Sequence, residues 1–220
     1  MTPRLLKREE GKRMNQLSES YIPQYVSISE GEPLYEPITV NEAKNYLKVD
    51  DTTDDALIGQ LIKTARKMIE TQASLCFHRR TVIQKQTGGI ETLDALRIPV
   101  HSVTSIQFAE DFDSSYITLD GNEYRIAGNR FFNENYKFQR GRDADGYVIT
   151  YVAGMVADTT PSTLNNDMKT AILRIVAFLY ENRQEYSQGW NEQGFSINYD
   201  IMKSEINRII NPYANAKGVF

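Results

Sequence analysis

The chain has 220 residues, of which 40% are hydrophobic and 25% charged, enough apolar material for one domain with appendages or at most two small domains. Its 25 basic and 29 acidic residues leave a net charge of −4, which argues against a protein whose main task is gripping phosphates. Cys76 is the only cysteine, so an intrachain disulfide and a cysteine metal cluster are excluded.

Residues 1–37 are polar and irregular, with Pro23, Pro33 and Pro37 among mixed charges, and read as a flexible or docking N-terminal arm. The opening "MTPRLLKREEGKRMNQ" is basic and lacks the apolar segment of a signal peptide. No stretch approaches the ~18–20 apolar residues needed to span a bilayer. A soluble intracellular product is expected, with no membrane partner.

One structured domain is expected over 38–213. Thr39 followed by Glu42 has capping-box spacing and opens a short helix over about 40–47. The run "DDTTDD" starts the next, over about 53–75, with Thr52 or Thr53 as cap and Asp54 and Asp55 on the first turn. Leu57, Ile58, Leu61, Ile62, Ala65, Met68, Ile69 and Ala73 then form one apolar stripe, which leaves Lys63, Arg66 and Lys67 facing outward. The aspartates lack the alternation, turn glycine and distal glutamate of a calcium loop.

From about 79 to 154 the period changes. "TVIQKQT", "LRIPV", "VTSIQF", "SYITL", "YRIA" and "GYVITYVAG" are short β-branched and aromatic runs separated by turn residues. They predict five or six strands in a small antiparallel insert between the second and third helices. Asp143, Asp145 and Gly146 read as a turn between two of them.

Thr160 as cap and Pro161 at the first helical position open a third helix over about 161–186. Its stripe of Leu164, Met168, Ala171, Ile172, Ile175, Val176 and Leu179 ends on "YENR". There Tyr180 sits at the stripe's edge with its hydroxyl expected in water, and Glu181 and Arg183 face out. A fourth helix, over about 199–211, carries Ile201, Met202, Ile206, Ile209 and Ile210 and is stopped by Pro212, followed by a tail over 214–220. The fold expected from these elements is α+β: mainly a helical bundle with a small β insert.

The search for chemistry is empty. There is no glycine-rich phosphate loop, HExxH, GxSxG or CxxC pair, and neither catalytic residues nor a cofactor nor a metal is expected. His78, Arg79 and Arg80 form a basic corner, readable as an anion site or as charge suited to a helix C-terminus. His101 is expected in the loop before a strand, and Cys76 as a small buried hydrophobe. The stretch "RFFNENYKFQRGR" interleaves basic and aromatic residues, so a nucleic-acid-binding accessory protein using residues 130–142 is the alternative reading.

The order of the motifs is more specific than any one of them. "T-x-x-E-A-K-x-x-L" falls at Thr39, Glu42, Ala43, Lys44 and Leu47, and an "Asp-Asp-x-Leu-Ile" entry at Asp54, Asp55, Leu57 and Ile58. "P-V-x-S-V-x-S-I" follows at Pro99, Val100, Ser102, Val103, Ser105 and Ile106. "Y-x-A-G" is Tyr151, Ala153 and Gly154, and "Y-E-N-R" runs from Tyr180 to Arg183. Over roughly residues 36–213 this series resembles the head–tail connector, or adaptor, proteins of long-tailed bacteriophages.

That resemblance implies a structural virion protein of the neck. About twelve copies would form a ring beneath the portal, extend the DNA channel, and seat a stopper or tail-completion protein. DNA would pass through without sequence-specific binding. By the same analogy Tyr180, Arg183, Tyr199, Ile206, Ile210, Tyr213 and Phe220 are candidates for the subunit or portal interface. Phe131, Phe132, Tyr136, Arg140 and Arg142 are candidate loop contacts. The N-terminal arm, a longer β insert around "FFNENYKFQRGRD" and the linker containing Trp190 depart from the family pattern.

Overall fold

The computed structural model describes residues 26–87, 92–110, 113–133, 145–159, 162–182 and 192–214. Among them, eight strands run Val26–Glu30 (β1), Arg80–Gln86 (β2), Thr92–Asp94 (β3), Val100–Phe108 (β4), Ile117–Thr118 (β5), Tyr124–Ala127 (β6), Arg130–Asn133 (β7) and Tyr147–Ala153 (β8). Four helices accompany them: Val40–Leu47 (α1), Asp55–Ala73 (α2), Asn166–Glu181 (α3) and Glu192–Ala214 (α4).

The chain does not form the expected helical bundle with a small insert. Its strands make two antiparallel sheets, one of five strands in the order β1-β2-β8-β4-β5 and one of three in the order β3-β7-β6. β structure organises the molecule, and the helices pack beside it. In β2, Arg80, Val82, Gln84 and Gln86 point inward while Thr81, Ile83 and Lys85 point out, the alternation of a half-buried strand. Central β8 pairs with β2 on one side and β4 on the other. It sets Tyr151 opposite Val82, and Ile149 between Gln84 and Ile106.

The small sheet covers part of this inner face. Phe131 meets Tyr151 edge-on at 5.7 Å between ring centroids, a favoured aromatic geometry. Gln84 is fully buried and ties the layers together. Its Nε2 donates to the Asp94 carbonyl at 2.8 Å, and its Oε1 accepts from the Leu96 N–H at 2.9 Å and the Tyr151 hydroxyl at 3.1 Å.

Local rules explain the helices. At α1 the Thr39 Oγ1 accepts from the Glu42 N–H at 3.1 Å while Glu42 Oε2 accepts from the Thr39 N–H at 2.7 Å, closing the capping box. α2 buries Ile58, Ile62, Ala65, Ile69 and Ala73, and α3 buries Met168, Ala171, Ile172, Ile175 and Val176. α3 begins after Asn165, whose Oδ1 accepts from the Met168 N–H at 3.0 Å; Thr160 and Pro161 lie outside the described residues. α4 runs through Pro212, which sits inside its last turn. α2 packs against α1, α3 and α4, and one continuous apolar core joins these helices to the sheets.

The segment after α2 threads between sheet-side loops. The Cys76 N–H donates to the Ile98 carbonyl at 2.9 Å, and its own carbonyl accepts from the Met155 N–H at 3.0 Å. The Arg79 N–H donates to the Val156 carbonyl at 2.9 Å. Gly154 is where the backbones come closest. A Cβ there would lie 2.4 Å from the Arg79 backbone, at φ +155°, so the glycine of the "Y-x-A-G" motif is required by space.

Candidate functional site

Three features stand out as places where the fold invests polar or apolar side chains beyond simple packing. The first is an ion-pair cluster between α2, β1 and β2. Arg66, which helical periodicity places on the outer face, is instead 1% exposed. Its guanidinium donates to Glu70 at 2.9 Å, Glu36 at 2.8 Å and Glu32 at 2.7 Å. Arg80 donates to Glu70 at 3.0 Å and to Glu30 at 3.2 Å, and Arg97 adds a contact to Glu30 at 2.9 Å. Glu70 also accepts from the Phe77 N–H at 2.8 Å. Two inward-facing cations thus share a buried carboxylate, the arrangement that makes such charges tolerable away from water.

The carboxylates respond as expected. Burial pushes the Glu30 pKa up, but Arg97 and Arg80 outweigh it and hold the group below the ordinary range. Hydrogen bonds from Lys67 and Arg66 hold Glu32 at about 2.

The second feature is the strap "GEPLYEP", residues 31–37, between β1 and α1. Asp158 accepts from two consecutive amides, Leu34 N–H at 2.7 Å and Tyr35 N–H at 3.2 Å. His78, fully buried, holds the Tyr35 carbonyl with Nδ1 at 2.8 Å and the Ser162 Oγ with Nε2 at 2.7 Å. A carbonyl only accepts, so Nδ1 carries the proton and the serine hydroxyl donates to Nε2. His78 Nδ1 also lies 3.4 Å from Asp158 Oδ1, so Ser162, His78 and Asp158 stand in the order of a hydrolytic triad. They form a structural clasp all the same: the imidazole is sealed from solvent, Asp158 is committed to the strap's amides, and the Ser162 Oγ also accepts from the Leu164 N–H at 3.2 Å.

The third feature is an apolar groove of about 550 Å³ lined, among the described residues, by Leu75, Ile98, Pro99, Met155, Pro212 and Tyr213, with Asn129. The Asn129 Oδ1 is already occupied by the Val100 N–H at 3.0 Å.

Of the expected interface residues, Tyr180 lies at the end of α3, and its hydroxyl donates to Asp54 Oδ2 at 2.5 Å. Asp54 makes no side-chain cap to α2; it holds Tyr180, while Asp55 pairs with Lys44 at 2.7 Å. Asp51 accepts from the Thr53 N–H at 2.8 Å. The acidic run is thus spent on a turn and on contacts between helices. Ile206 and Ile210 are buried within the subunit's own core. Tyr213 lines the groove, and its hydroxyl accepts from Asn165 Nδ2 at 2.7 Å. Tyr199 is in α4; Arg183 and Phe220 lie outside the described residues. At the "YENR" end, Asn182 Nδ2 donates to the Phe178 carbonyl at 2.6 Å, so the amide finishes its own helix.

Of the candidate loop contacts, Phe131 is fully buried, and Phe132 lies under the Arg125 guanidinium at 4.7 Å. Tyr136, Arg140 and Arg142 lie outside the described residues, as do Lys137, Phe138 and Asp143. The basic corner does not form an anion pocket, because Arg80 turns inward to carboxylates and His78 is buried. Asp145 accepts from the Tyr116 hydroxyl at 2.9 Å. His101 lies within β4 and is exposed. Cys76 is buried, and burial pushes its thiol up to about 12. No described group of His, Cys, Asp and Glu residues could hold a metal ion, and no described helix is long and apolar enough to cross a membrane.

Comparison with solved structures finds this fold in gene transfer agent particles. A chain in the neck of an empty gene transfer agent particle, computed with C6 symmetry, superposes with a TM-score of 0.62 at 16% identity, covering 83% of this chain and 94% of that one. A chain in the virion of a native gene transfer agent gives 0.61 at 16% identity, with 82% and 93% covered. One from the neck of a native particle computed with C12 symmetry gives 0.57 at 17%, with 83% and 94% covered. No curated protein matches. The resemblance read from the ordered motifs is borne out by a family model whose description is head completion protein, which matches residues 36–216. With that match running from Glu36 in the strap to beyond the end of α4, the chain belongs to the head completion protein family.

Proposed function

We propose that the protein is a structural adaptor of the virion neck. It assembles as a ring of about twelve copies under the portal, by closure of one repeated head-to-tail contact. It extends the DNA channel and gives a stopper or tail-completion protein its seat. The subunit waits in the host cytoplasm and becomes part of the virion when the portal orders it. Its work is binding and positioning, without catalysis.

The observation that carries this reading is the family match over residues 36–216. Chains of the same fold in particle necks solved with C6 and C12 symmetry support the ring. The nucleic-acid alternative gains no support: Phe131 is buried and Arg80 is paired, so neither is available to stack on a base or meet a phosphate. Tyr180, Arg183, Tyr199, Tyr213 and Phe220 remain our candidates for contacts beyond the subunit, with Ile206 and Ile210 seating α4 from inside.

Purified protein sedimented with isolated portal rings tests the reading. Full-length chain is expected to travel with the portal, and a truncation lacking residues 214–220 to bind at least tenfold more weakly with an unchanged circular dichroism spectrum. Equal sedimentation of the truncation overturns the placement of the tail at the portal. Failure of the full chain to bind overturns the adaptor reading.

A further inference from the structure

The strap between β1 and α1 is built more firmly than a connection requires. Leu34 at its tip is 82% exposed and Tyr35 beside it 43% exposed. Yet the backbone beneath them is fixed by the Asp158 carboxylate and by His78. Glu32 and Glu36, on either side of the tip, are both held by Arg66. Pro33 and Pro37 restrict the strap further, since proline fixes φ. A lone exposed leucine on a surface needs no explanation. An exposed leucine on a loop locked by a buried histidine, a doubly engaged aspartate and a buried arginine is a pre-organised knob, which loses little freedom on docking.

The same chain carries an apolar hole. The groove formed by Leu75, Ile98, Pro99, Met155, Pro212 and Tyr213 measures about 550 Å³, within the range of formed binding pockets. Asn129, its one polar lining residue among those described, has its side-chain oxygen engaged by Val100. The groove therefore suits an apolar occupant better than a charged or strongly hydrogen-bonding one. Knob and hole are made of different residues of one subunit. A contact between them is heterologous, the type that generates a ring when its rotation closes.

We propose that Leu34 and Tyr35 of each copy dock into the Leu75–Ile98–Met155–Tyr213 groove of the next copy, and that this contact propagates the ring. The proposal rests on the ring assembly inferred above and names the surfaces that make it. Because the strap is anchored to α2 and to the loop after β8, the contact also links each neighbour to the joint between helices and sheet.

The test is a cysteine pair, Leu34→Cys with Met155→Cys in one chain, oxidised after assembly on portal rings. Native Cys76 is buried with its thiol pushed up to about 12, so it stays silent. A ladder of disulfide-linked species extending past dimer on a non-reducing gel is expected, and neither single variant should pass dimer. In parallel, Leu34→Asp should raise the protein concentration needed for ring formation at least tenfold. Since Leu34 is 82% exposed, its circular dichroism spectrum and melting should match the wild type. If wild-type rings form, yet the pair gives no ladder and Leu34→Asp assembles normally, the contact is wrong while the ring stands. If wild-type protein forms no ring with or without portal, the ring reading falls and this contact with it.

Discussion

Arg66 shows how one residue can be misplaced by pattern alone and then account for much of a local structure. It lies between stripe positions of α2, so helical spacing assigns it to solvent. Its burial depends on Glu32 and Glu36, about thirty residues earlier, and on Glu70 one turn later; only the last of these is visible as an i,i+4 pair. Tyr180 and Asp54 repeat the lesson, because a hydrogen bond joining residues 126 apart leaves no local trace. Gly154 was legible as a motif, but the reason for it, the Arg79 backbone, was not. The buried carboxylate sets a clear expectation. Glu70→Ala strands two inward-facing guanidinium groups and should cost about 3–5 kcal/mol. Glu32→Ala, at the exposed rim of the same cluster, should cost under about 1 kcal/mol. Urea denaturation of the two variants measures the contrast; equal losses would mean the cluster does not rest on Glu70.

At the scale of elements, the sequence was most informative where structure is local. The capping box of α1, the stripes of α2 and α3, and the alternation in β2 all follow from periods of 3.6 and 2.0. The organisation of the sheet was not legible. β2 pairs with β8, from Arg80 opposite Ala153 to Gln86 opposite Tyr147, and takes β1 as an edge partner from a segment that reads as an irregular arm. Short strands whose partners lie far away read as a modest insert, which makes a helical bundle the larger part. β1 itself is tied to the rest by Glu30, whose pKa Arg97 and Arg80 keep below its ordinary value despite burial. A lowered carboxylate stabilises the fold fully above its unfolded pKa and loses that contribution as pH falls through its folded value. With Glu32 also held at about 2 against an ordinary 4.5, the anchoring of β1 and the strap should weaken between about pH 4.5 and about pH 2. Glu30→Gln should be less stable than wild type by about 1 kcal/mol at pH 7, with the difference shrinking as pH falls below the ordinary carboxylate range. Urea midpoints across that range test this; a constant gap would show that Glu30 does not act through its charge.

For the whole molecule, the absence of a recognisable reactive motif in the sequence and the order of its weak motifs were together more telling than any single residue. Site residues were harder to read, because an interface is defined by what lies across it. Ile206 and Ile210 are apolar and suitably spaced, but they serve the subunit's own core. The strap's Leu34 and Tyr35 gave no periodic signal, and the groove draws residues from five separated stretches of chain. Seen together, the molecule has an apolar knob pinned by Arg66, His78 and Asp158 and an apolar hole. Those are the requirements of a subunit that must meet its neighbours at a set angle.

The most direct measurement is cryo-electron microscopy of this protein bound to isolated portal rings, without imposed symmetry. The account predicts a single closed ring of about twelve subunits seated under the portal, with an open central channel and the strap of each subunit against its neighbour. Subunits that bind the portal singly, or no density beneath it, would contradict the account.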